Sequence, residues 1–137
     1  RNSHAPELRR LRGVSNHVPP EVYAAARILR AQGVRGIFVG SGSGAVYLEP
    51  EHFRDVDAIL SSGRTVQYGL TLKIPVFCYD HFGGPGYITT ENYEDAGYRS
   101  FCGLCCGRKL AGAKLEEELA RGYREALGHL PTLRRLD

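Results

Sequence analysis

The chain has 137 residues, 42% of them hydrophobic and 24% charged, with a formal net charge of +3. That is the size and balance of one globular domain with a real core. No apolar run approaches the roughly 18 residues of a membrane span. Residues 1–12 are too polar for a signal peptide, and the charge is too small to argue for nucleic acid, though it suits an anionic ligand.

In chain order, RGVS at 12–15 reads as a short strand. Asn16-His17-Val18-Pro19-Pro20 then reads as a helix start, because proline is tolerated in a first turn. Val22, Ala25, Ala26 and Leu29 fall on one stripe, so 22–32 is a predicted helix that Gly33 ends. VRGIFV at 34–39 is the second strand, followed by the Gly/Ser run 40–44, expected to be a mobile loop. A short helix start is expected at 50–53, a third strand at 56–60 and a helix at 65–72. The fourth strand is 75–79, with a glycine-rich turn expected at Gly83-Gly84-Pro85-Gly86. Helices are expected at 92–98 and 113–127, the latter with residues 116–118 facing water. Alternating strands and helices predict an α/β fold: a single Rossmann-like domain with a parallel sheet flanked by helices, its core at about 12–128.

Three places carry candidate chemistry. The turn Ser61-Ser62-Gly63-Arg64 opens a helix at Thr65. A helix N-terminus exposes unpaired N–H groups and about half a positive charge, which suits phosphate. Gly63 lets an anion approach the backbone, Arg64 offers a fork for its oxygens, and Thr65 offers a hydroxyl. An ordinary helix cap accounts equally well for the same residues. Asn16 and His17 occupy the corresponding place after the first strand, either as site residues or as a cap and a surface histidine. PVFCYDHFGGPG at 75–86 runs from a buried strand straight into Asp80, His81 and glycines, at the strand end where α/β sheets bind ligands.

Two motifs are weaker. GSGSG at 40–44 fits a dinucleotide fingerprint poorly, since position 45 is Ala45 and no clear acid ends a strand at the expected spacing, although Asp57 lies near that distance. Cys102, Cys105 and Cys106 lack a matching second ligand pair, so neither metal nor disulfide is expected. Arg108 and Lys109 can reach an anion or stand in water.

SNHVPPEV at 15–22, DAILSSGRTVQYGLTLKIPVFCYDHFGGPG at 57–86 and FCGLCCGRKL at 101–110 resemble a family of bacterial glycosyltransferases of cell-surface polysaccharide synthesis. The resemblance covers roughly 14–119 and is most specific at TVQYGLTLKIPVFCYDHFGGPGY. More broadly it is similar to the C-terminal, donor-binding half of GT-B enzymes, which set two Rossmann-like domains across a cleft. The lipid-intermediate N-acetylglucosaminyltransferases show a similar strand, Ser/Gly turn, Thr-Val helix, strand and Asn-bearing helix, matched here by Thr65-Val66 and Asn92.

The resemblance implies a nucleotide-sugar donor as substrate, with no cofactor and no metal. It implies donor contacts from Ser62, Gly63, Arg64, Thr65, Gln67, Asp80, His81, Gly83, Gly84, Asn16 and His17. Gln67 and Tyr68 stand where such enzymes often carry a ribose-binding glutamate, which leaves Glu91 and Glu94 as substitutes. An N-terminal acceptor domain of the same protein would complete the cleft. The absence of methionine fits a piece of a longer protein, inactive alone. A cytoplasmic location is expected, with room for peripheral membrane association of the full-length protein and no nucleic-acid partner. The other readings are a non-catalytic nucleotide- or sugar-binding module and a nucleotide-sugar epimerase of related fold.

Overall fold

The computed structural model describes residues 7–15, 18–39, 53–98, 101–102 and 108–136, with side chains to 133. Asn16, His17, the Gly/Ser run, the expected helix start at 50–52, Cys105 and Cys106 lie outside the described residues.

Five strands form one sheet in the order β2-β1-β3-β4-β5. These are β1 (Arg10–Val14), β2 (Arg35–Val39), β3 (Ala58–Ser61), β4 (Val76–Asp80) and β5 (Gly83–Tyr87). β1 pairs with β2 and β3, and β3 with β4, all in parallel. β3 and β4 are buried throughout except at Asp80, as central strands of a sheet covered on both faces must be. The parallel α/β expectation therefore holds for the first four strands.

The glycine run departs from expectation. Residues 83–87 are not a turn but a strand, antiparallel to β4, with Phe77 opposite Tyr87 and Cys78 opposite Gly86. The turn is His81-Phe82, stapled by the Asp80 carboxylate, which accepts the Phe82 N–H at 2.9 Å. Because β5 runs backwards, it returns the chain to the amino edge of the sheet.

The helices are α1 (Pro20–Ala31), α2 (Arg64–Thr71), α3 (Tyr93–Tyr98) and α4 (Gly112–Leu136). α1 starts on its two prolines, with Glu21 in its first turn and Arg30 in its last, both favourable to the helix dipole. It ends at Gly33, φ 90°, with Val34 N–H donating to the Leu29 carbonyl at 2.9 Å and Gly33 N–H to Arg30 at 3.0 Å. That pair of bonds is a Schellman closure.

One face of the sheet packs Leu11, Ala58, Leu60, Phe77, Tyr79 and Tyr87 beneath α1 and the first turns of α4. The other packs Ile59, Val76, Cys78 and Ile88 beneath α2 and α3. Leu115, Leu119 and Tyr123 of α4 belong to the first layer, but Leu130 and Leu133 belong to the second. The last helix thus bridges both layers, and the core spans Leu8 to Leu133, wider than 12–128.

At the amino edge, buried Asp57 accepts the backbone N–H groups of Arg9 and Arg10 at 3.0 and 2.9 Å. It ties β1 to β3 far from the strand ends where a ribose would bind. No described helix is long and apolar enough to cross a membrane.

Candidate functional site

Strand order reverses between β1 and β3: the chain leaves β1 for β2 on one side, then resumes at β3 on the other. In open α/β sheets this switch point opens a crevice at the carboxyl ends of the strands. Ser61, the last residue of β3, ties the two strand ends together by donating its hydroxyl to the Val14 carbonyl at 2.6 Å. Ser15 follows on the other side, with Asn16 and His17 outside the described residues.

α2 begins at this crevice. Its N-cap is Gly63, at φ 68° and ψ −141°, with no side-chain cap and no acid in the first turn. That conformation belongs to glycine. A Cβ there would meet nothing within 4 Å among the described residues. Ser62 and Gly63 are half-buried, Arg64 and Gln67 are exposed, and Thr65 is buried. The Gly63 N–H is already committed, donating to the Phe101 carbonyl at 2.8 Å. The same carbonyl accepts the Cys78 thiol at 3.1 Å, so the start of α2 and the upper part of β4 share one anchor.

α1 also lacks a side-chain cap, but Glu21 fills its first turn. Burial pushes the Glu21 carboxyl up. Bonds from its own backbone N–H and from Tyr79, with the charge of Lys109, outweigh this and hold it below its ordinary value. The Tyr79 hydroxyl donates to Glu21 at 2.9 Å and accepts the Leu110 N–H at 3.0 Å, while Lys109 Nζ lies 3.4 Å from Glu21. α1 therefore carries its own anion, and α2 carries none with Arg64 beside it. α4 also starts at this edge, with Gly112 against Glu21 and Ala25 and no acid in its first turn, but α2 is the helix that opens at the β1/β3 switch point.

Asp80 and His81 reach the same edge from the end of β4. The His81 and Phe82 rings pack at 4.0 Å, and both residues are exposed. Gly83 and Gly84 do not line the crevice in the way expected of a ligand loop. Both are buried, and Gly84 N–H donates to the Arg108 carbonyl at 3.0 Å. A Cβ at Gly83 would overlap that carbonyl, and one at Gly84 would overlap the Cys78 carbonyl. These glycines make room for the chain's own backbone.

Arg108 does not stand free in water, nor does Glu118 face it as the run 116–118 suggests. Instead, Arg108 Nη1 and Nη2 meet Glu118 at 2.9 and 2.7 Å, and the Glu118 side chain is only 24% exposed. Asn92 is structural: it accepts the Thr89 N–H at 2.8 Å and donates to the Tyr87 carbonyl at 2.9 Å. Glu91 lies beyond the amino end of β4, where Ile88 N–H donates to Val76 at 2.9 Å, and so does not reach the crevice.

Glu91, Glu125 and His129 bring ligand atoms within 4.8 Å of one another. His129 Nδ1 lies 3.2 Å from the Thr90 nitrogen and 2.8 Å from the Thr90 hydroxyl, which ties the last helix to the segment after β5. Cys78 and Cys102 are free thiols.

Among the described residues, cavities lie away from the crevice, one of about 220 Å³ lined by Arg10, Arg12, Arg35 and Arg54. Another of about 440 Å³ sits between Arg9, Gln32 and Tyr123, and one of about 340 Å³ between Tyr87, Gly122 and Glu125. All three are lined by charged residues, arginines among them.

No family model, curated protein or solved structure matches the chain.

Proposed function

We propose that the chain is the donor-binding domain of a GT-B glycosyltransferase of surface polysaccharide synthesis. In this reading the start of α2 holds the diphosphate of a nucleotide-sugar. The observation that carries it is the uncapped, acid-free N-terminus of α2 at the switch point, with no described residue within 4 Å of a Cβ on Gly63 and with Arg64 exposed beside it. The family resemblance of residues 57–86 supports the same assignment.

Transfer would run by attack of an acceptor hydroxyl oxygen on the anomeric carbon. The bond from that carbon to the phosphate oxygen breaks, and the nucleoside diphosphate leaves with the electron pair. The hydroxyl proton goes to a base on the facing domain of the full-length protein. This chain's share is electrostatic: backbone N–H groups and Arg64 stabilise the charge developing on the departing diphosphate. Asp80 and His81, at the neighbouring strand end, would meet the sugar.

Titration calorimetry of the chain with nucleosides, nucleoside monophosphates, nucleoside diphosphates and inorganic pyrophosphate tests the reading. Binding that requires the diphosphate supports it. Equal binding of nucleosides, or none of any phosphate at millimolar concentration, contradicts it.

A further inference from the structure

β5 has the sequence GGPGY and forms one edge of the sheet, so most of its residues have no side chain with which to anchor it. Its pairing with β4 is irregular between Cys78 and Asp80, just below the turn that carries His81. Arg108 supplies the missing hold. Its carbonyl accepts the Gly84 N–H at 3.0 Å, its Nε donates to the Gly84 carbonyl at 3.2 Å, and its Nη2 donates to the Pro85 carbonyl at 3.2 Å. Glu118 of α4 orients the guanidinium through two bonds, at 2.9 and 2.7 Å. The strand is shaped around this pair: a Cβ on Gly86 would sit 3.2 Å from Arg108 Nη2 and 3.3 Å from Glu118 Oε1.

We infer that Arg108, held by Glu118, is a positioning residue that sets the Asp80–Phe82 hairpin, and with it His81, against the start of α2. The inference rests on the donor-binding reading for its consequence, but its geometry is independent of that reading. Arg108 acts through the hairpin rather than on a ligand. Lysine cannot replace it, because one ammonium cannot serve a carboxylate and two carbonyls in the fixed fork of a guanidinium.

The experiment uses the whole chain as R108K, E118Q, H81A and the double variant R108K/H81A. Amide spectra of R108K and E118Q are expected to shift at 80–86 and stay fixed at 64–67. Binding is read with two probes: inorganic pyrophosphate, which needs only the start of α2, and UDP-glucose, which also reaches the hairpin. R108K and H81A should each weaken UDP-glucose by roughly three- to tenfold, the range of one hydrogen bond, and leave pyrophosphate unchanged. The double variant should lose no more than H81A alone, because both changes remove the same contact.

Equal weakening of both probes, or additive losses, would make Arg108 a general stabiliser and overturn the inference. Unmoved hairpin amides in both R108K and E118Q would overturn it as well. If neither probe binds the unaltered chain, the donor reading fails. The amide shifts alone then decide whether Arg108 sets the hairpin.

Discussion

Gly63 donates its backbone N–H to the Phe101 carbonyl at 2.8 Å, from a φ of 68° that an L side chain rarely adopts. A Cβ at Gly63 would touch nothing within 4 Å among the described residues, so the cost of the Gly63→Ala change is conformational. The expected loss is about 1–3 kcal/mol in urea unfolding. A loss under about 0.5 kcal/mol, the scatter of ordinary surface changes, would show that the turn relaxes without strain.

α2 ends as α1 does, with Ile74 N–H donating to Gly69 at 3.1 Å and Lys73 N–H to Leu70 at 3.0 Å. Here the left-handed position is Lys73, at φ 63°, where glycine is the usual occupant. Lys73→Gly should raise stability by about 0.5–1 kcal/mol, the strain relieved exceeding the entropy given to the unfolded chain. A lowered urea midpoint would contradict the Schellman assignment.

The Tyr79–Glu21 pair ties stability to pH at both ends. Burial, opposed by the Leu110 N–H and then helped by the bond to Glu21 and its charge, pushes the Tyr79 phenol up to about 12. A raised phenol contributes stability that is present below its ordinary value, about 10, and lost as pH rises through its folded one. Glu21, held low, contributes stability present above the ordinary glutamate value, about 4.3, and lost as pH falls through its folded one. Tyr79→Phe should reduce the alkaline loss, the rest coming from the buried Tyr87 phenol, which is also pushed up by burial, and should shrink the acid one. Urea midpoints across pH read both; unchanged slopes in the variant would contradict the coupling.

The parallel core was legible because AILS and VFCYD are apolar runs that only a doubly covered sheet buries, and each precedes or follows a helix-period stretch. β5 was not legible. Glycine and proline signal a turn locally, and the reason they form a strand is the Arg108 backbone lying against them from a distant segment. Glu118 sits within a run of three glutamates that reads as a solvated helix face; only the tertiary approach of Arg108 turns it inward. The helix-start candidate at Gly63 was visible as a strand–turn–helix junction. The absence of an acid in its first turn separates it from α1, and that comparison needs both helices at one edge.

Arg64→Ala should weaken nucleoside diphosphate binding by about 1.5–3 kcal/mol, the worth of a hydrogen bond to a charged group. Thr65→Ala should cost less, since the backbone donors remain. Calorimetry on both variants checks the order. A larger loss for Thr65→Ala would place the anion off the Arg64 side of the helix start.

The most direct test is amide chemical-shift mapping of the isotopically labelled chain during titration with nucleoside diphosphates. The diphosphate assignment predicts saturable shifts centred on residues 62–67, with smaller ones at 80–82, and none at the cavity between Arg9 and Tyr123. Shifts confined to that cavity, or none at 62–67 at millimolar ligand, would contradict it.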